Sequence, residues 1–279
     1  MTSTTLKRTV LAGAILGSFF TGIALGGSAY ALDENAKKPG DMMIGGKQVV
    51  PGECRAFYGA DVCTWGETEG NELVAFGATI PVAAVENAPA DLPMVWPPVA
   101  NVVIPLPDAV SAATGFKVVT LYWEAHGHPP GPYFVPHFDV HFNTITANDV
   151  GAIDCVDSTK PGRLPVGYEL PDVNTPDFGM LLGLCVPQMG MHAAPQTELH
   201  AGKPFQKTMI IGYYRGRPIF MEPMITRTTL LERSSFGLDV PEVPDRPTGV
   251  RYPTTFRADY DGAAQAYRFI FSGLPARTP

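Results

Sequence analysis

Proline sets the first limit on how this chain can fold. The 279 residues carry 28 prolines and 29 glycines, and the prolines recur from Pro39 to Pro279 without gathering in one tail. Inside a helix a proline removes a backbone hydrogen bond and clashes with the preceding turn, costing about 3 kcal/mol or more. A chain interrupted this often has little room for long helices, whereas short strands joined by turns remain open to it. Runs such as Leu73-Val74-Ala75-Phe76 and Val118-Val119-Thr120-Leu121-Tyr122-Trp123 are strand-like and alternate with glycine turns. No repeat of fixed period and no low-complexity tract appears. The prediction is a mainly β protein, a single-domain β-barrel or β-sandwich with long proline-rich connections.

The first 31 residues are set apart from this fold. Lys7 and Arg8 precede an apolar run from Thr9 to Leu25, and Ala29-Tyr30-Ala31 supplies a small-x-small cleavage pattern. We read residues 1–31 as a signal peptide, residues 32–48 as a flexible leader and residues 49–279 as one β-rich domain. An uncleaved anchor is the alternative for the first segment. Removing it takes away two basic residues and no acidic one, which moves the formal charge from -7 to -9. An acidic chain without a basic run excludes nucleic acid and anionic membrane as natural partners. Export also bears on Cys54, Cys63, Cys155 and Cys185. An even count in an oxidising compartment favours disulfides, and chain order favours Cys54 with Cys63 and Cys155 with Cys185.

Within the domain, residues 81–107 are too rich in proline for a central strand or a long helix. Residues 118–124 and 138–145 read as neighbouring antiparallel strands. Residues 209–214 and 219–221 read as a hairpin around Gly216, and residues 251–258 and 265–271 as a closing hairpin turned by Asp259-Tyr260-Asp261-Gly262. Residues 226–233 fit a helix or a strand equally.

Chemistry concentrates in residues 122–142, which hold His126, His128, His137 and His141, four of the six histidines, with Asp139 between the last two. On a strand, His137, Asp139 and His141 share one face while Phe138, Val140 and Phe142 share the other. Positions two apart are roughly 7 Å apart and can converge on one ion, but positions four apart are roughly 13 Å apart. His137 and His141 therefore do not share an ion on a regular strand unless a bulge bends it. A helix would place them one turn apart, but Pro136 and the β-branched residues favour the strand. Further ligands have to come from elsewhere, with His192 in Met189-Gly190-Met191-His192 and Glu222 in Met221-Glu222-Pro223-Met224 as candidates. Imidazoles with a carboxylate suit zinc, iron, manganese or copper. The competing structural reading has these histidines hydrogen-bonded within the fold. The scattered methionines read as core packing, and His200 reads as surface. No serine-hydrolase elbow, phosphate-binding loop or H-E-x-x-H helix is present.

Trp123, Gly127-His128-Pro129, the run Pro136-His137-Phe138-Asp139-Val140-His141-Phe142, then Met189-Gly190 with His192, and Glu222-Pro223-Met224 resemble a small family of exported bacterial proteins of unknown function. Its founding member comes from a thermophile. The resemblance covers roughly residues 75–279, and the H-F-D-x-H-F core is its most specific part. It implies a predominantly β fold and a site at His128, His137, Asp139, His141, His192 and Glu222, without implying an activity. His126, Met191 and the Cys54 to Cys63 region depart from the pattern.

The expected function is that of an exported, secreted or periplasmic metal-binding protein. His128, His137, His141 and His192 are the expected ligands of a divalent or transition metal ion. One form is a metal-dependent enzyme acting on a small molecule, hydrolytic or lyase-type with Glu222 or Asp139 as base, or carrying oxygen chemistry. The alternative is a non-catalytic extracytoplasmic metal- or ligand-binding stress protein. A homo-oligomer is compatible with either form.

Overall fold

A computed structural model describes residues 43–44, 47–93 and 95–276, so the span read as a signal peptide and most of the span read as a leader lie outside the described residues. Strand pairing starts within the span read as leader. There β1 (Met43–Ile44) pairs with the first residues of β2 (Lys47–Phe57). The chain continues through β3 (Ala60–Glu69) and β4 (Glu72–Pro81) as an antiparallel meander. It then crosses to a second sheet built from β5 (Val102–Pro105), β6 (Val118–Glu124), β7 (His137–Asn143) and β8 (Tyr168–Glu169). A two-stranded ribbon, β9 (Val173–Thr175) with β10 (Gly179–Leu181), interrupts before β11 (Met191–Pro195), β12 (Lys207–Tyr214) and β13 (Arg217–Thr226) complete the second sheet. The first sheet is finished by β14 (Phe236–Asp239), β15 (Thr255–Asp261) and β16 (Ala266–Ser272).

The two seven-stranded sheets have the orders β1-β2-β3-β4-β16-β15-β14 and β5-β6-β7-β13-β12-β11-β8. Both are open, which confirms the mainly β class and sets aside the closed barrel. Their facing sides share one hydrophobic core. Phe142 of the second sheet meets Phe76 and Phe271 of the first at ring separations of 6.1 and 4.9 Å, and Phe138 meets Phe57 at 6.1 Å. Each such buried ring stabilises the fold by about 1.5–3 kcal/mol.

Local expectations fare as their chemistry dictates. The strands around residues 118–124 and 138–145 pair antiparallel, and β12 turns into β13 through Arg215-Gly216, both at positive φ. The proline-rich span 81–107 yields only a short helix, Val82–Glu86, and the edge strand β5. Residues 226–233 resolve into the helix Arg227–Leu231, capped by the Thr226 hydroxyl, which accepts from the Thr229 amide. The last hairpin is a correction. Asp259, Tyr260 and Asp261 stay in β15, where Tyr260 meets Tyr267 across the strands at 5.3 Å. The turn follows them, held by the Asp261 carboxylate accepting from the amides of Ala263 and Ala264 at 2.8 and 3.0 Å.

Both disulfides form as chain order favoured, Cys54–Cys63 between paired positions of β2 and β3 and Cys155–Cys185 between two loops. Two disulfides fit an oxidising, extracytoplasmic environment. Among the described residues no helix is long and apolar enough to cross a membrane.

Candidate metal centre

The site lies on the face of the second sheet turned away from the shared core. Along β7, Phe138, Val140 and Phe142 enter that core while His137, Asp139 and His141 point to the other face, all of them buried. β13 places Glu222 directly across from His141, as the register Met221↔Phe142 requires. β6 sets Tyr122 across from Asp139 and Glu124 across from His137. His128 arrives from the proline-rich loop between β6 and β7. That loop folds back at Gly127, φ 69°, where a Cβ would sit 2.0 Å from the Tyr133 carbonyl oxygen.

His192 comes from β11, with β12 standing between it and Glu222. Gly212 of β12 lies opposite His192. The space a side chain would need there is filled by the Phe220 ring, 1.9 Å from the position of a Cβ. Phe220 lies flat on His141, with ring centroids 4.2 Å apart and planes 9° apart, and meets the His192 ring edge-on at 5.3 Å.

All six residues singled out from the sequence therefore reach one region, but in two groups. His128, His137 and Asp139 form one triad, and His141, His192 and Glu222 the other, each with one donor atom per residue within 4.8 Å of the rest. His137 and His141 fall in different triads, as their spacing along a strand demands. In the first triad, Asp139 lies 3.1 Å from His137 Nε2 through Oδ1 and 3.5 Å from His128 Nε2 through Oδ2. In the second, His141 Nε2 lies 3.5 Å from Glu222 Oε1.

Backbone carbonyls fix which nitrogen is free. His128 Nδ1 lies 2.7 Å from the Pro129 oxygen, His137 Nδ1 2.6 Å from the Val135 oxygen and His192 Nδ1 3.0 Å from the Leu184 oxygen. A carbonyl only accepts, so each Nδ1 carries the proton and donates it. In the neutral ring the Nε2 lone pair then faces the cluster. The Nε2 atoms of His128 and His137 stand 3.1 Å apart. Two lone pairs at that distance repel unless a proton or a cation lies with them. A carbonyl on one ring nitrogen and an ion on the other is the usual arrangement of metal-binding histidines. His141 Nε2 and Glu222 Oε2 are buried without a hydrogen-bond partner among the described residues, and Asp139 Oδ1 has only the 3.1 Å approach of His137 Nε2. Such atoms are costly unless something charged completes them.

The electrostatics follow from burial among like groups. For His128, burial opposes the charge, but the hydrogen bond and charge of Asp139, with Glu124 behind it, raise its pKa to about 9. Burial opposes ionisation of Asp139 too, and the two histidines hold its carboxyl well below the usual range. Burial drives His141 down to about 4 and His192 to about 3, and pushes Glu222 well above its ordinary value, where the neighbouring Asp139 charge adds to the effect.

Glu124 is a residue that motif reading missed. Burial first, then the charge of Asp139, raises it to about 7. The signal was present in the sequence, because Glu124 shares the alternating face of β6 with Tyr122, whose ring lies 5.0 Å from that of His141. Glu124, His128, Asp139 and His192 line a cavity of about 40 Å³, roofed by Trp96 stacked on Phe178 at 4.2 Å. Glu124 also lines a wider cleft of about 330 Å³ with Leu92, Val95 and Val99. His126 stays outside the cluster, 3.9 Å from Asp91, and His200 is a surface residue 3.1 Å from Glu169.

The second disulfide supports this geometry, since Leu184 precedes Cys185 and holds His192 through its carbonyl. Cys155–Cys185 closes a loop with a sequence separation of 30. Replacing both cysteines by alanine should cost about 3 kcal/mol and accelerate amide exchange around residues 184–192. Unchanged exchange there would separate the staple from the site. No family model, curated protein or solved structure matches the chain.

Proposed function

We propose that the protein is an exported metal-binding protein that acts on, or captures, a small molecule at an ion held by His128, His137, His141 and His192 with Asp139 and Glu222. The observation that carries the reading is the convergence of buried, unpartnered donor atoms on one space, with three imidazoles fixed by backbone carbonyls. Two imidazoles and a carboxylate per triad suit zinc, iron, manganese or copper. The sandwich-like pair of sheets supplies a rigid floor.

The enzymatic form is favoured by three protein donors per triad beside a cavity, which leaves coordination positions for water or substrate. An ion held by these residues would supply Lewis-acid chemistry, polarising an oxygen and lowering the pKa of a bound water toward ~7. The cavity of about 40 Å³ takes only a few waters, so a substrate would present a small group while its remainder lies in the cleft beyond Glu124. The non-catalytic reading is favoured by the same enclosure, which would retain an ion firmly.

Elemental analysis of the purified protein beside a His137→Ala/His141→Ala variant tests the proposal. Metal bound in the first and lost in a folded variant is the expected result. A protein that takes up no metal after reconstitution with zinc, iron(II), manganese or copper ends it.

A further inference from the structure

The donor atoms are too many and too far apart for one ion. Each triad is compact, with its donor atoms within 4.8 Å of one another, but the six donors do not form one group at that limit. Coordinating atoms stand roughly 2.0–2.2 Å from a zinc ion, so all six cannot converge on a single centre without the sheet moving. β7 is a regular strand here, paired on both sides, and His137 and His141 are four residues apart along it. Filling either triad alone leaves the other with buried, unmatched donors. Asp139 Oδ1 has only the 3.1 Å approach of His137 Nε2 in the first, and His141 Nε2 and Glu222 Oε2 lack a hydrogen-bond partner among the described residues in the second.

Charge is consistent with that geometry. Asp139, Glu222 and Glu124 approach one buried region, and among the described residues no lysine or arginine forms an ion pair with any of them. Histidines are the only groups there that can carry positive charge, and a cation in each triad would supply the rest.

We infer that the site is a two-ion centre, with one divalent cation in His128–His137–Asp139, a second in His141–His192–Glu222, and the Asp139 and Glu222 carboxylates between them. This deepens the metal-binding reading and rests on it. Two neighbouring ions can hold a bridging water or hydroxide and clamp an oxygen-bearing substrate from two sides, the arrangement used in hydrolysis of phosphate and peptide bonds. Glu124, in no triad, stands where the small cavity meets the wide cleft and is placed to meet that substrate.

Titration of the full chain with manganese(II) tests the count without any variant, by equilibrium dialysis and by electron paramagnetic resonance of the bound ions. Two equivalents with exchange coupling between them are expected. One equivalent at saturation overturns the two-ion centre and leaves the metal-binding reading standing, whereas zero equivalents for every metal tried removes both. Single variants then locate the ions. His192→Ala and His137→Ala should each retain one equivalent, halving the bound metal and abolishing the coupling. Should either variant fail to fold, the conservative His192→Gln and His137→Gln replace it, and the coupling in the unaltered protein still decides.

Discussion

Gly212→Ala should destabilise the protein by about 1–2 kcal/mol, although a glycine in a strand is ordinarily a weak point. The new Cβ would lie 1.9, 2.1 and 2.2 Å from three carbons of the Phe220 ring, which is fully buried and stacked on His141. Overpacking of this kind costs about 1–3 kcal/mol. The gain from reducing the freedom of the unfolded chain is only about 0.4–1 kcal/mol. The clash wins, and the ring can yield only by pushing on His141, so metal uptake should fall with stability. Urea denaturation of Gly212→Ala beside Gly162→Ala, where no atom lies within 4 Å of the added Cβ, separates the clash from the general effect of losing a glycine. In the double variant Gly212→Ala/Phe220→Leu part of the loss should return, as expected when two contacting residues fail additivity. A single variant as stable as the parent would mean that Gly212 does not shape the site.

The same glycine shows where the sequence stops being informative. Alternation along residues 137–142 is a local property, and it correctly separates the histidine face from the phenylalanine face and keeps His137 and His141 from sharing an ion. That Glu222 stands opposite His141 depends on the register between β7 and β13, strands separated by most of the second sheet's connections. No local pattern encodes such a register. His192 is harder still, because its reach across β12 requires Gly212 and Phe220 to agree, and each looks unremarkable alone. The open sheets in place of a barrel are also a non-local outcome, since an alternating pattern of inward and outward residues serves both. Glu124 was legible in principle, being two residues from Tyr122 on the same face. It carries no motif, and its significance rests on burial beside Asp139. Disulfide pairing was within reach of chain order because each bridge joins cysteines consecutive in sequence.

Stability should fall with rising pH in the metal-free protein and stay nearly level in the metal-loaded protein between pH 6.5 and 9. His128 has a folded pKa raised from 6.5 to about 9. Its contribution is therefore complete below pH 6.5 and is lost as pH rises through 9. Glu222, raised well above 4.5, keeps a proton in the folded protein that the unfolded chain releases, so it too favours folding less as pH rises. His141 and His192, lowered to about 4 and 3, are neutral in the folded protein throughout this window, and only their unfolded forms, titrating near 6.5, add a small opposite slope at its lower edge. Glu124, raised to about 7, acts mainly below it. A tenfold change in proton affinity is worth about 1.36 kcal/mol, so His128 alone removes on the order of 3 kcal/mol from the metal-free protein between pH 6.5 and 9. A bound ion would cancel that slope. It would take the place of the His128 and Glu222 protons, so its affinity rises with pH by as much as the stability of the metal-free protein falls, and the stability of the loaded protein stays nearly level. Urea denaturation at pH 6.5, 7.5 and 8.5, with a chelator and with saturating zinc, measures both slopes. In Asp139→Asn, which withdraws the charge that raises His128, the metal-free slope should flatten, and the zinc-dependent gain should shrink with it. Equal slopes with and without zinc would show that no ion replaces those protons.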